Sequence, residues 1–327
     1  AKGSWLIYSR SAGPGRYLPE RIMTNFDLEK IVDTTDEWIR TRTGVERRHV
    51  VEEDQTTSDM CVRSAQNAMD DAGVTPADVD MVITGTTSPD VVFPNVSSII
   101  QHRLGIPACP AFSLEAACSG FIYALTVADK FIKTGEAKCV LVTGAECITK
   151  LLDWSDRNTC VLFGDGAGSA ILVPSEEPGI LSCELGADGQ YRELLHYPVG
   201  VSKNLAAAGT AEANIIMQGN EVFKVAVKTL GRIAQASLDK AGVTKEELDW
   251  LVPHQANIRI IQAMAKRLDM PMEKVILTVQ DHGNTSAASV PMALDVGRRD
   301  GRVKKGQLVL MEAFGGGFTW GSVLMRM

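Results

Sequence analysis

Cys118 lies in the run Ala116-Ala117-Cys118-Ser119-Gly120-Phe121, between a short strand-like stretch (Ala111–Leu114) and a long apolar one. Its small neighbours permit a sharp turn that presents the thiol at the start of a helix. There, unpaired N–H groups and the helix dipole favour thiolate over thiol. A thiolate is the form that attacks a thioester. Seen alone, a cysteine is more often a small buried core residue, and the strand–turn–helix placement brings the nucleophile reading level with that one. His254, in Leu251-Val252-Pro253-His254-Gln255-Ala256-Asn257, closes an apolar strand where the next helix begins. The carboxyl ends of parallel strands are where sites form, although a lone histidine is more often structural. Asn284 stands in Asp281-His282-Gly283-Asn284-Thr285-Ser286-Ala287-Ala288-Ser289, where the plain alternative is a helix N-cap.

The chain resembles itself at an offset of 169 residues. Ala72–Ile83 aligns with Ala241–Val252, with identity at five of the twelve positions. The same offset brings Ala124-Leu125 onto Ala293-Leu294 and Val140-Leu141 onto Val309-Leu310, while Arg103-Leu104 matches Arg267-Leu268 at 164. Several matches in order argue for a duplicated half. Ala287 is then the counterpart of Cys118. Asn284 belongs to the turn that mirrors the nucleophile turn, and a pseudo-twofold axis brings the two turns together.

Each half repeats one set of elements. A helix ends at a glycine (Gly73, Gly242), and an acidic link leads into an apolar strand (Met81–Gly85, Trp250–Pro253). A second helix follows (Val96–Leu104, Ile258–Leu268), then a short strand, a turn of small residues, another apolar helix, and a strand at Cys139–Thr143 or Gln307–Met311. The helix Ser119–Lys133 is apolar around most of its circumference and is expected to be buried. Alternating strands and helices predict an α/β fold with mainly parallel sheets and helices on their faces. Two halves, 1–173 and 174–327, make a layered α/β/α/β/α body.

The 327 residues are 45% hydrophobic and 22% charged, enough for a large core, with a mean hydropathy of +0.01. No apolar run approaches the roughly 18 residues of a membrane span, and Ala1–Trp5 does not read as a signal peptide. A net charge of −7 argues against nucleic acid as a partner. The seven cysteines include no C-x-x-C pair, so they predict no metal site and fit reduced thiols in a cytoplasmic protein. Two glycine runs, Phe163–Gly168 and Phe314–Phe318, lead into strands. Neither opens a helix as a nucleotide loop does. A backbone N–H of the second run, aimed at an oxyanion, is the better reading.

Taken together, the motifs around Cys118, His254 and Asn284 resemble the thiolase-fold condensing enzymes, and most closely bacterial β-ketoacyl-acyl carrier protein synthase III. The resemblance runs from Tyr17-Leu18-Pro19 through Asp36-Glu37-Trp38-Ile39 and Thr41-Arg42-Thr43-Gly44 to Phe314–Gly321. Pro253–Asn257, His282–Ser289 and Phe314–Ser322 are its most specific parts. An asparagine in place of a second histidine separates this branch from the elongating synthases.

The resemblance implies that Cys118 takes an acyl primer from coenzyme A, after which malonyl-acyl carrier protein enters and is decarboxylated. His254 and Asn284 would bond the malonyl thioester oxygen, and the N–H groups of Cys118 and Gly316 would form the oxyanion hole. Trp38 and Arg157 would bracket the adenine of coenzyme A, with Arg42 and Thr43 nearby. Phe223, Asn257 and Phe314 would line the tunnel. Phe93 and Met217 would bound the acyl pocket, Phe93 across a homodimer interface. Lys224, Arg259 and Lys266 would receive the acidic carrier protein, their plain alternative being a solvated helix face. Acyl-coenzyme A is a substrate in this scheme and no cofactor is implied.

Three segments depart from the family pattern. Ser9–Arg16 replaces an apolar strand ending and puts the first strand in doubt. Glu115 stands three residues before the nucleophile and is expected to point away, because a carboxylate facing the thiol disfavours thiolate. Gly186–Asn214 is long and left without assigned structure. Two rival classes remain. Papain-like hydrolases order Cys, His and Asn alike, at about 130–150 residues, against 136 and 166 here, but they lack duplicated halves. A non-catalytic scaffold would keep the fold without needing Cys118, His254 and Asn284 together.

Overall fold

The computed structural model describes residues 7–327, so the reading of Ala1–Trp5 lies outside the described residues. In chain order the first strands are β1 (Tyr8–Tyr17), β2 (Ile22–Thr24), β3 (Arg47–His49), β4 (Met81–Gly85), β5 (Ala111–Leu114), β6 (Val140–Glu146) and β7 (Gly166–Ser175). They are followed by β8 (Ile180–Ala187), β9 (Leu195–His196), β10 (Ile216–Met217), β11 (Trp250–Pro253), β12 (Leu308–Gly315) and β13 (Thr319–Arg326). The helices are α1 (Asn25–Leu28), α2 (Asp36–Thr43), α3 (Thr57–Ala72), α4 (Val96–Arg103), α5 (Gly120–Thr134), α6 (Gly219–Ala241), α7 (Ile258–Arg267), α8 (Val279–His282) and α9 (Ser289–Arg299).

Two sheets carry the body, ordered β1-β7-β6-β4-β5 and β11-β12-β13-β8. The chain passes from one to the other between Ser175 and Ile180. Because strand side chains alternate faces, β6 sends Leu141 outward and Val140 and Val142 inward. Leu141 joins Met60, Ala65 and Ile100 of α3 and α4. Val140 and Val142 join Phe121 and Leu125 of α5, Val290 and Leu294 of α9, and Met311 and Val323 of the second sheet. Beyond that sheet, Leu251, Leu310 and Leu324 pack on Ile233 of α6 and Ile261 and Met264 of α7. The layers therefore run α3/α4, sheet, α5/α9, sheet, α6/α7, the five-layered arrangement expected. At the offset of 169, β4 falls on β11, α5 on α9 and β6 on β12, and α3 and α6 both end in left-handed glycines, Gly73 (φ 67°) and Gly242 (φ 66°).

The structure corrects the sequence reading in four places. The sheets are mixed rather than mainly parallel: β4-β5, β4-β6 and β11-β12 run parallel, but β1-β7, β6-β7, β12-β13 and β13-β8 run antiparallel. The reason is that β6 and β12 return as β7 and β13 without a crossover α-helix. Ser9–Arg16 is strand throughout, paired antiparallel with β7 across a bulge between Ser11 and Gly13. Its glycines are demanded by close approach: a Cβ on Gly15 would lie 2.2 Å from Ala68 N of α3. In the second half the expected short strand shrinks to a single parallel bridge, Leu251 to Val275. Finally, β6 and β12 run on to Glu146 and Gly315, past the expected ends at Thr143 and Met311, because the buried residues 144–146 and 312–315 continue the ladders. The unassigned Gly186–Asn214 segment ends β8, makes a helical turn at Gly189–Leu194 and forms β9, which pairs with β10 over the site.

Candidate active site

Two turns meet where the halves touch. Cys118 sits in a single 3₁₀ turn, Ala117–Ser119, between β5 and α5, and the mirrored turn Ser286–Ala288 precedes α9. Both begin with a non-glycine residue at positive φ, Ala117 at 46° and Ser286 at 51°. Few such residues adopt this angle, and they cluster at functional sites. The turns approach because glycines leave room: a Cβ on Gly144 would lie 2.2 Å from Ala287 O. From the other side, Gly315 presses on the nucleophile, and a Cβ there would lie 2.6 Å from Cys118 N and 3.1 Å from its sulfur.

His254 begins just past β11, and its own N–H donates to Glu312 O at 2.7 Å. Its Nδ1 lies 2.6 Å from Ser289 Oγ, which also accepts from Gln255 N. With Ser289 donating to Nδ1, the ring proton sits on Nε2, the free nitrogen. Burial drives the imidazole down to about 3, so it is neutral at physiological pH. Asn284 is locked on both sides: its N–H donates to Leu162 O at 2.8 Å, and Gly164 N donates to its carbonyl at 3.0 Å. Its side-chain Oδ1 accepts from Ser286 N at 2.9 Å, which leaves Nδ2 as the free donor. The first glycine run thus buttresses Asn284.

Cys118, His254 and Asn284 line one cavity, together with Met217, Asn257, Phe314 and the carboxyl-bearing Glu312. A second cavity opens on the other side of Cys118. It is lined by Ile148, Leu151, Leu195, Tyr197 and Ile215, with Ser286 and Gly316 near the thiol. Met217, expected to bound the acyl pocket, faces the first cavity. Phe93 lines neither; it is 83% exposed at a corner with Val92.

The thiol is not the resting thiolate expected of a helix start. Burial pushes it up to about 12, against the Ser286 hydrogen bond, with Glu146 and Glu115 adding to the rise. Desolvation outweighs the N-terminal field. The nucleophile must therefore lose its proton as it attacks. Glu115 is exposed, and its Oε1 accepts from Ala117 N at 2.8 Å. Its carboxylate turns back on the turn, yet it borders the second cavity and its charge still reaches the thiol.

Further out, the guanidinium groups of Arg42 and Arg157 each stand 5.0 Å from the half-buried Trp38 ring. Thr43 is buried, its hydroxyl donating to Ile39 O and accepting from Val45 N. Asn257 caps α7 by accepting from Ile260 N. Arg259 lies 5.7 Å over Phe223. Lys224 is paired to Glu221 at 2.8 Å, whereas Arg259 and Lys266 are exposed on α7.

The sequence reading missed Ser286, Glu146, Glu312, Ser289 and Gly315. Glu312 carried a signal, since it interrupts an otherwise apolar strand, whereas Glu146 stands at the end of β6. Glu312 is buried, neither carboxyl oxygen has a partner among the described residues, and burial pushes it up to about 8.

A five-layered duplicated fold with a cysteine, a histidine and an asparagine on one cavity wall defines a thiolase-fold condensing enzyme. Residues 112–189 match the model of 3-oxoacyl-[acyl-carrier-protein] synthase III, and residues 238–327 match its C-terminal part. The chain is 57% identical to the β-ketoacyl-[acyl-carrier-protein] synthase III of Thioalkalivibrio sulfidiphilus over 321 residues, covering 98% of this chain and 100% of that one. It is also 57% identical to the Xanthomonas campestris synthase III over 320 residues, covering 98% of each. The crystal structure of the Aquifex aeolicus synthase III superposes with a TM-score of 0.92 at 47% identity, over 98% of this chain and 100% of that one. The priming β-ketosynthase of the R1128 polyketide pathway does so at 0.94 and 38%, over 98% and 96%. The chain belongs to the β-ketoacyl-acyl carrier protein synthase III family, the acyl-transferring condensing enzymes that initiate fatty acid synthesis.

Proposed function

We propose that Cys118 takes an acyl primer, acetyl in the simplest case, from acyl-coenzyme A. The acyl-enzyme then condenses with malonyl-acyl carrier protein to give 3-ketoacyl-acyl carrier protein and CO2. The observation that carries this reading is the pair of neutral donors, Asn284 Nδ2 and His254 Nε2, left free by their bonds to Ser286 and Ser289 on the wall that Cys118 shares. Donors fixed in advance stabilise the thioester enolate that decarboxylation leaves. The enolate carbon attacks the acyl-Cys118 carbonyl, whose oxyanion is met by the N–H groups of Cys118 and Gly316. Gly316 borders the second cavity beside the thiol, which supports that role.

In this reading, Trp38, Arg42 and Arg157 receive the adenine at the mouth, with Arg157 moving off the ring it covers. Phe223, Asn257 and Phe314 line the way in, and Thr43 only holds the end of α2. The acyl chain occupies the second cavity. The exposed Phe93 and Val92 pair with a second copy in a homodimer, and Arg259 and Lys266 meet the acidic carrier. Seven free thiols fit a cytoplasmic location. The test is product analysis with acyl-coenzyme A primers of increasing length and malonyl-acyl carrier protein. Formation of 3-ketoacyl carrier and CO2 is expected, with a cut-off in primer length. Hydrolysis of the primer without condensation contradicts the reading.

A further inference from the structure

Cys118 has a hydroxyl neighbour that its own turn does not supply. Ser286 Oγ lies 3.5 Å from Cys118 Sγ and 3.3 Å from Glu146 Oε1. The mirrored position in the first half is Ala117, which has no hydroxyl. Ser286 is buried and held at φ 51°. Glu146 closes β6, fully buried. It also bonds Thr87 N at 3.1 Å, Thr87 Oγ1 at 2.9 Å and Ser88 Oγ at 2.6 Å. An amide and hydroxyls supply donors, which suits a carboxylate that only accepts. A serine hydroxyl has one proton. When it points at Glu146, the oxygen's lone pair faces the thiol, and the order Cys118 S–H, Ser286 O–H, Glu146 carboxylate is a continuous proton path.

We propose that Ser286 is a catalytic residue, with Glu146 the positioning residue acting through it, and that together they take the Cys118 proton during acyl transfer and return it during condensation. The inference rests on the acyl-transfer reading above. In the first half-reaction the Cys118 sulfur bonds the acyl carbon and the bond to the coenzyme A sulfur breaks. The thiol proton passes to Ser286 as the Ser286 proton passes to Glu146, and the departing coenzyme A thiolate is protonated from solvent. In the second, the malonyl C–C bond breaks, CO2 leaves, and the new C–C bond expels Cys118 thiolate. Glu146 then gives its proton to Ser286 and Ser286 gives its own to the sulfur, restoring thiol and carboxylate.

The chemistry of Glu146 suits a reversible acceptor. Burial outweighs its hydrogen bonds and raises its carboxyl to about 7, with Glu115, from the turn after β5, pushing the same way. The other titratable groups whose charges couple to it are the thiols of Cys118, Cys147 and, from α3, Cys61. Near neutrality such a group takes and releases a proton readily.

Single-turnover transfer of radiolabelled acetyl from acetyl-coenzyme A to protein, followed from pH 5.5 to 8.5, tests this path. The wild-type rate is expected to rise through a midpoint near 7 as Glu146 ionises. Glu146→Gln should lose that limb and slow acylation by about 10²-fold, the scale of a positioned proton acceptor. The sign is decisive. The charge of Glu146 raises the thiol, so if its influence were only electrostatic, the same substitution would speed acylation. Ser286→Ala should slow acylation similarly. It keeps the backbone N–H that holds Asn284, and it decides the question if Glu146→Gln fails to fold. Acylation as fast as wild type in folded Ser286→Ala or Glu146→Gln overturns the relay. Absence of acetyl transfer in the wild type overturns instead the acyl-transfer reading on which it rests.

Discussion

Ser286 N donates to Asn284 Oδ1 at 2.9 Å, and this one bond decides which end of the asparagine amide meets the substrate. The two residues sit in the turn that mirrors the nucleophile turn. In the proposed mechanism Asn284 of the second copy handles the malonyl group, while Cys118 of the first copy carries the primer.

Asn284→Ala removes one donor to the enolate and leaves the thiol's turn intact. Acetyl transfer to Cys118 should continue, while CO2 release from malonyl-acyl carrier protein falls by roughly 10²–10³, as for oxyanion-hole deletions. His254→Ala should impair both half-reactions. Equal loss of both steps in Asn284→Ala would contradict this division of labour.

Gly315→Ala tests the close approach behind the nucleophile. Its Cβ would lie 2.6 Å from Cys118 N, so the turn must shift. A stability loss of about 1–3 kcal/mol, the usual cost of overpacking, should appear in denaturant melts, with acylation slowed by more than tenfold. A variant with wild-type acylation would show that the turn tolerates displacement.

Glu312 should make stability fall with rising pH. Its folded carboxyl is raised to about 8 from an ordinary value of 4.5, so between those values the folded protein holds the proton that the unfolded chain has lost. Stability therefore declines across that window, by up to about 1.4 kcal/mol per pH unit, and Glu312→Gln should flatten the decline. Urea melts of both proteins at pH 5, 6.5 and 8 measure it. Parallel pH dependences in the two proteins would refute the assignment.

Carrier docking should rest on Arg259 and Lys266 more than on Lys224, whose ammonium is already paired with Glu221. Replacing Arg259 and Lys266 with Ala should raise the KM for malonyl-acyl carrier protein severalfold and leave acetyl transfer near normal, and added salt should mimic the double variant. Lys224→Ala should change little. Equal loss in both half-reactions would mean these residues shape the site instead.

The site is legible in the sequence to the extent that duplication makes it so. The offset that aligns Ala287 with Cys118 places Asn284 beside the nucleophile before any coordinates are known, and His254 follows from its place at a strand's carboxyl end. Ser9–Arg16 misleads because its glycines serve an approach to α3, which no local pattern encodes. The resting state of the thiol misleads for a related reason. A helix start is visible in sequence, but the depth of burial that outweighs its field is a property of two sheets closing on two turns. Ser286 and Glu146 stay hidden because they come from different halves and meet only in the fold.

The central claim is that Cys118 carries the acyl group, and peptide mass spectrometry after mixing with acetyl-coenzyme A tests it most directly. The expected result is one acetyl group on the peptide containing Cys118, none in Cys118→Ser, and loss of the adduct when malonyl-acyl carrier protein is added. An unmodified Cys118 during turnover, or near-normal condensation by Cys118→Ser, would contradict it.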